Sequence, residues 1–211
     1  MGIILLDIGN VVVSVDFRPF CTAVSRFGPE SSGTILGRYC DGELKDRLDT
    51  GMVAPGEFLL QLARDPLVNE MALTELRAAW QNIFTLQQGC LQGVKSLQER
   101  HSVWIMSDTD PLHFAFLINS FPVLRSADRY FLSYEHGFLK RSVDAFEHVL
   151  SESGQDAGEF LLIDDRAVNC AACEAAGMHS ILFSSWEETL SSPVLAGLQE
   201  SRPQIPGRVS G

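Results

Sequence analysis

Asp7, Ser107, Lys140 and the adjacent pair Asp164-Asp165 are the polar residues whose placement in this sequence could carry chemistry. Each lies beyond an apolar segment: Asp7 after IILL, Ser107 after VWIM, Lys140 in the stretch beyond YFLS, and Asp164-Asp165 after FLLI. Singly they have ordinary explanations, since an Asp or Ser at a strand end commonly caps the next helix and a lone Lys is usually solvated. Two adjacent carboxylates closing an apolar strand are costly unless a cation or a donor compensates them. If the apolar segments are parallel strands of one sheet, their carboxyl ends open onto a single crevice where residues distant in the chain meet.

The elements that must hold these residues follow from the patterning. Residues 3 to 13, IILLDIGNVVV, read as a buried strand running into a loop. From 17 to 98 apolar residues recur at three and four spacing, with turn signals at Gly28-Pro29, Gly42, Gly51 and Pro55-Gly56, so a helical stretch without a strand is expected. Strands are then predicted at 102–107, 129–133, 159–165 and 179–183, alternating with helices at 112–119, 143–152, 167–176 and 186–199. Such alternation predicts an α/β fold, a doubly wound parallel sheet of Rossmann-like type. About eighty helical residues between the first two strands exceed what one crossover helix needs. The surplus predicts a helical cap inserted after the first strand, over the edge where such sheets bind ligands. The expected division is a core of 1–16 and 99–199, a cap of 17–98, and a Pro/Gly/Ser-rich tail at 200–211.

A chain of 211 residues with 45% hydrophobic content can bury a sizeable core without disulfides or a structural metal. Its 27 acidic against 16 basic residues, net charge −11, repel phosphate backbones and anionic lipid, which counts against nucleic-acid or membrane partners. Cys21, Cys40, Cys90, Cys170 and Cys173 are odd in number and scattered, as expected of reduced thiols in a cytoplasmic protein. Cys170-x-x-Cys173 sits in an Ala-rich helical stretch and reads as core filling rather than redox or metal chemistry. The amino-terminal apolar run is broken by Asp7 and Asn10 and lacks a basic region, so neither a leader nor a membrane span is expected.

Read in order, DIGNVVV (7–13), SDTDPLH (107–113), HGFLK (136–140) with DAFEHVL (144–150), and LLIDDRAVN (161–169) resemble the motifs of the haloacid dehalogenase-like hydrolases, and among them the helically capped phosphatases. The stretch DTGMVAPGEF (49–58) and Trp80 are similar to the cap of bacterial sugar-phosphate phosphatases whose first motif is D-x-G-N. The resemblance implies that Asp7 is the nucleophile, forming an aspartyl-phosphate that water hydrolyses. It implies that Ser107 and Asp108 hold the substrate phosphate and that Lys140 neutralises charge on the transferring group. It further implies a Mg²⁺ cofactor at Asp7, the Gly9 carbonyl, Asp164 and Asp165, with Asp165 binding directly and Asp164 acting through water or by orienting Lys140. Asn169 would support that loop, and the substrate would be a small phosphorylated metabolite such as a sugar phosphate.

The sequence also departs from the family. Gly9 stands where many relatives have a second Asp that serves as general acid, a role that typically contributes about 10²- to 10⁴-fold. A substrate with an easy leaving group is therefore expected, or a proton supplied by the cap or by the substrate itself. Asp108 replaces the commoner Asn and brings negative charge to the phosphate site; Arg141 and Ser142 replace Pro and a polar or acidic residue. Arg141 reads either as added charge near phosphate or as solvated, and His113 either as a cap-facing contact or as an ordinary helix-start residue. Glu43, Lys45, Asp46, Arg47 and Asp49 are the cap candidates for substrate contact. Two competing readings are a haloacid dehalogenase, whose halide leaves without a proton, and a catalytically weak member that binds a phosphometabolite or a protein.

Overall fold

A computed structural model describes residues 2–198; the expected tail at 200–211 and the end of the helix predicted to reach 199 lie outside the described residues. The first half of the chain runs β1 (Ile3–Leu6), β2 (Val13–Val15), α1 (Arg18–Val24), α2 (Pro29–Ile35), a π-helical turn (Leu36–Cys40), α3 (Glu43–Asp49), α4 (Pro55–Arg64), α5 (Leu73–Gln81) and β3 (Phe84–Leu86). The second runs α6 (Cys90–Gln98), β4 (Ser102–Ser107), α7 (Pro111–Ser120), β5 (Arg129–Leu132), α8 (Ser133–His136), α9 (Val143–Ser153), β6 (Phe160–Asp164), α10 (Ala167–Ala175), β7 (His179–Leu182), α11 (Trp186–Leu190) and α12 (Pro193–Gly197).

Five strands form one parallel sheet in the order β5-β4-β1-β6-β7, with β1 at its centre. Its three central strands, β1, β4 and β6, are largely apolar and buried because both faces are covered, the situation that turns alternating patterns into continuous runs. Ile4 and Leu6 of β1 point to one face with Val103, Ile105, Leu161 and Ile163, packed against Val94 and Leu97 of α6 and Leu117 of α7. Ile3 and Leu5 point to the other, with Trp104, Met106 and Leu162, against Phe146 and Val149 of α9 and Cys173 of α10. The α/β, doubly wound, Rossmann-like core expected from the alternation of elements is thus present.

A separate apolar cluster joins α1 through α5: Phe20, Val24, Leu48, Phe58, Leu62, Leu76 and Trp80, with Leu112 of α7 as the core's contribution. Helices α1 through α5 lie in the chain between β2 and β3. Two details within the 17–98 span differ from expectation. Phe84–Leu86 is a strand, paired antiparallel with β2, so the chain enters and leaves the insertion along one two-stranded ribbon; three residues are too few to show an alternation in sequence. Helix α6 lies on the sheet, with Cys90, Val94 and Leu97 in the core cluster and Gly93 against the Trp186 ring. Apolar spacing marks a helix as amphipathic without saying which core it faces. The helix expected at 186–199 is instead α11 and α12, interrupted just before Pro193, where the residue preceding a proline disfavours helical geometry.

All five cysteines are free and buried, and Cys170 and Cys173 belong to the buried face of α10. Among the described residues no helix is long and apolar enough to cross a membrane.

Candidate active site

Register dictates the site. Leu6 lies opposite Ile105 of β4 and Ile163 of β6, so Asp7, Ser107 and Asp164 emerge together at the carboxyl edge, where the sheet's connections diverge from β1. The Asp7 amide still bonds to the Ile163 carbonyl at 3.0 Å, which fixes the first residue past the strand. Lys140 arrives from the loop between α8 and α9, and its backbone N–H donates to Asp108 Oδ1 at 2.9 Å. Its ammonium, only 2% exposed, lies 2.6 Å from Asp7 Oδ1 and 2.5 Å from Asp164 Oδ2.

Asp164 is held from several sides: Oδ1 accepts from the Arg166 amide at 2.9 Å, and Asn169 Nδ2 reaches its two oxygens at 2.9 and 3.1 Å. Asp165 accepts from Asn10 Nδ2 at 2.9 Å. Asn10 adopts φ 54°, a left-handed conformation that Asn tolerates better than most residues, and its Oδ1 accepts from the Val15 amide at 3.1 Å. It stitches the loop after β1 to the loop after β6. Sequence reasoning gave Asn10 no such role; an Asn following Gly just beyond a strand was the available signal.

Burial pushes the Asp7 carboxyl up to about 8, with Lys140 pulling it back and the charges of Asp164 and Asp108 adding to the rise. For Lys140 burial favours the neutral amine, but Asp7, Asp164 and Asp108 outweigh it and hold the ammonium above its usual value. Oxygens of Asp7, Asp164 and Asp165 lie within 4.8 Å of one another. Three carboxylates against one ammonium leave a formal charge of 3 − 1 = 2 negative units, which a divalent cation would balance. An all-oxygen donor set is that of a hard cation, so these residues fit Mg²⁺. Asp7 and Asp165 border a recess of about 170 Å³ together with Gly9, Asn10, Asp108, Lys140 and Asn169.

Beside the recess a cleft of about 220 Å³ runs between core and cap, lined by Gly9, Ser107, Asp108 and Thr109 below and Lys45, Asp46 and Asp49 above. Glu43 and Arg47, the other cap candidates, are exposed and are not part of that lining. Arg141 also lines the cleft, and its guanidinium grips Asp46 of the cap at 3.0 and 2.6 Å. It is exposed, with its charge paired to Asp46.

His113 faces the cap rather than simply opening α7. Its Nδ1 is 2.7 Å from Asp110 Oδ2, its Nε2 is 2.8 Å from the Trp80 carbonyl, and its ring stacks on the Trp80 indole with centroids 4.6 Å apart. Asp110 is fully buried and caps α7, accepting from the Leu112 and His113 amides at 2.9 and 3.0 Å. The same carboxylate accepts from Trp80 Nε1 at 3.3 Å, tying core to cap. Asp followed by Pro at a helix start was a readable cap signal; its link to Trp80, thirty positions away, was not.

In sequence and fold the chain is similar to the haloacid dehalogenase-like hydrolases. Among them it is similar in sequence to a phosphatase. It is 25% identical over 173 residues to the D-ribitol-5-phosphate phosphatase of Bacteroides thetaiotaomicron, covering 79% of this chain and 84% of that protein. A haloacid dehalogenase family enzyme of Bacteroides thetaiotaomicron, solved with magnesium and inorganic phosphate, has the same fold with a TM-score of 0.76 at 21% identity, covering 90% of this chain and 98% of that one. L-2-haloacid dehalogenase of Xanthobacter autotrophicus is a more distant fold relative, with a TM-score of 0.61 at 17% identity, covering 93% of this chain and 86% of that one. No family model matches the chain.

Proposed function

We propose that the protein is a Mg²⁺-dependent phosphatase that hydrolyses a small phosphorylated metabolite, a sugar phosphate or similar compound, through an aspartyl-phosphate. The observation that carries this reading is Lys140, held at 2.6 and 2.5 Å between Asp7 and Asp164 beside the acidic trio. Lys140 pulls the buried Asp7 toward the ionised form that attacks phosphorus, and the charge of a bound metal would add to that pull. Both the Lys140 ammonium and the Ile8 amide, at 2.7 Å, bind Asp7 Oδ1, which leaves Oδ2 as the attacking oxygen. As the Oδ2–P bond forms, the bond from phosphorus to the leaving oxygen breaks, and that oxygen takes up a proton. Water then attacks phosphorus, releasing inorganic phosphate and restoring the Asp7 carboxylate.

Ser107 and the backbone beyond it hold phosphoryl oxygens; the Asp108 carboxylate is committed to the Lys140 amide, so Asp108 contributes through its main chain. Asp164 orients Lys140, the second of its two expected roles, while Asp165, Asp7 and the Gly9 carbonyl hold the metal. When bound, Mg²⁺ supplies positive charge that stabilises the phosphoryl oxygens. With glycine at position 9 the leaving group's proton comes from the cap side or from the substrate. The five buried, free thiols support a reducing, cytoplasmic setting. Carbon–halogen displacement has no use for the acidic trio, which favours the phosphatase over the dehalogenase reading.

Phosphate release from a panel of small phosphorylated metabolites, including D-ribitol 5-phosphate, tests the reading. Release should require Mg²⁺ and fall by about 10³-fold or more in Asp7→Asn, the scale expected for losing a covalent nucleophile. Equal, low signals from both proteins, or halide release from a 2-haloacid, would overturn it.

A further inference from the structure

The cap half of the cleft is built from matched charges. Lys45 is the cation that α3 brings into it, and a lone cap lysine would recruit a second anionic group on the substrate. Lys45 is not alone. Both oxygens of Asp49, one turn further along α3, lie 2.5 and 2.6 Å from its ammonium, and Asp110 Oδ2 lies at 3.8 Å. Its Nζ sits 5.9 Å over the Trp80 ring, so its position is fixed by groups on α3, α5 and the start of α7. Arg141, though exposed, commits two of its donors to Asp46. His113 is likewise committed within the molecule, its two ring nitrogens lying against Asp110 and the Trp80 carbonyl.

We infer that this arrangement of Lys45 with Asp49, flanked by Arg141 with Asp46 and His113 with Asp110, selects an uncharged, hydroxyl-bearing leaving group and rejects one carrying a carboxylate or a second phosphate, with Asp49 the residue that sets the choice. The inference rests on the phosphatase reading and adds to it what the cap reads. A hydroxyl both donates and accepts, so it can use the remaining donor of Lys45 and the lone pairs of Asp49 together. A carboxylate only accepts, and meets Asp49 as a like charge.

The test compares two substrates of equal chain length, a pentitol 5-phosphate and a 5-phosphopentonate, with p-nitrophenyl phosphate as a third that offers the cap no hydroxyl. The wild type should turn over the pentitol phosphate with the higher kcat/KM. Asp49→Asn, which frees the Lys45 charge, should move the ratio toward the phosphopentonate by about 10-fold or more, mainly through KM. Lys45→Met, which frees the Asp49 charge, should move the ratio the other way. Opposite movements cannot come from a general loss of structure, which would lower both substrates alike. Release from p-nitrophenyl phosphate together with equal or better turnover of the phosphopentonate by the wild type overturns this inference alone. So do variants that leave the ratio where it was. No Mg²⁺-dependent release from any of the three overturns the phosphatase reading and the inference with it.

Discussion

One proton on Asp49 changes what the cleft can hold. Burial pushes its carboxyl up to about 6, with the Lys45 charge opposing and Asp110 reinforcing the rise. Below that pH Asp49 is neutral and Lys45 loses its partner, so acid should act as Asp49→Asn does: the phosphopentonate-to-pentitol-phosphate ratio rises as pH falls, with a midpoint near 6, read from kcat/KM profiles. Because the folded value lies above the unfolded one near 3.9, the stability Asp49 contributes is full in acid and lost as pH rises through 6. Asp110 has the opposite sign. Burial raises its carboxyl, but His113 and Lys45 more than reverse this and hold it well below the usual range. Its contribution is present above the unfolded carboxylate value and lost as pH falls toward the folded one. Asp110→Asn should therefore lower stability in neutral denaturant titrations, by about 3–5 kcal/mol on the scale of breaking a buried pair. Asp7, Ser107, Lys140 and the Asp164-Asp165 pair were legible in the sequence because strand ends converge whatever the intervening chain does. The Asp110–His113–Trp80 contact was not, because it depends on how the cap seats on α7.

That seating rests on two elements meeting without a side chain between them. Gly51, at φ 72°, follows α3 and lies so close to α8 that a Cβ there would come within 2.5 Å of the Tyr134 carbonyl oxygen. Alanine should be strained in backbone and should push α3, with Lys45 and Asp49, away from the core. Gly51→Ala is thus expected to raise KM for the pentitol phosphate and to lower Tm together. The contact between α6 and α11 is as close: a Cβ on Gly93 would fall 2.0 Å from the Trp186 ring, whose Nε1 is anchored to the Val11 carbonyl at 3.0 Å. Gly93→Ala should cost about 1–3 kcal/mol or more as overpacking, visible in Tm. The two glycines separate seating of the cap from stability of the core. Nothing in the spacing of Cys90, Val94 and Leu97 distinguishes a helix packed on the cap from one packed on the sheet; the bulk of Trp186 against Gly93 does, and only the folded chain brings them together.

At the scale of the whole molecule, a net charge of −11 deters polyanions, while the carboxylates gathered at Asp7, Asp164 and Asp165 create local demand for a cation. Mg²⁺ should accordingly stabilise the folded protein. At a hundredfold excess over Kd the gain is about 2.7 kcal/mol, roughly 5–10 °C in Tm for a chain of this length, and it should vanish in Asp165→Asn. The insertion is joined to the core by β2 and β3 alone in its strand pairing, with Val13 opposite Leu86 and Val15 opposite Phe84. Its two ends are therefore as near as the arms of a hairpin, and a two-residue turn of Asn-Gly type spans such a gap. On the proposed reading the core supplies the phosphoryl chemistry and the segment between Val15 and Phe84 carries much of the substrate contact, so the two roles meet at neighbouring points of one ribbon.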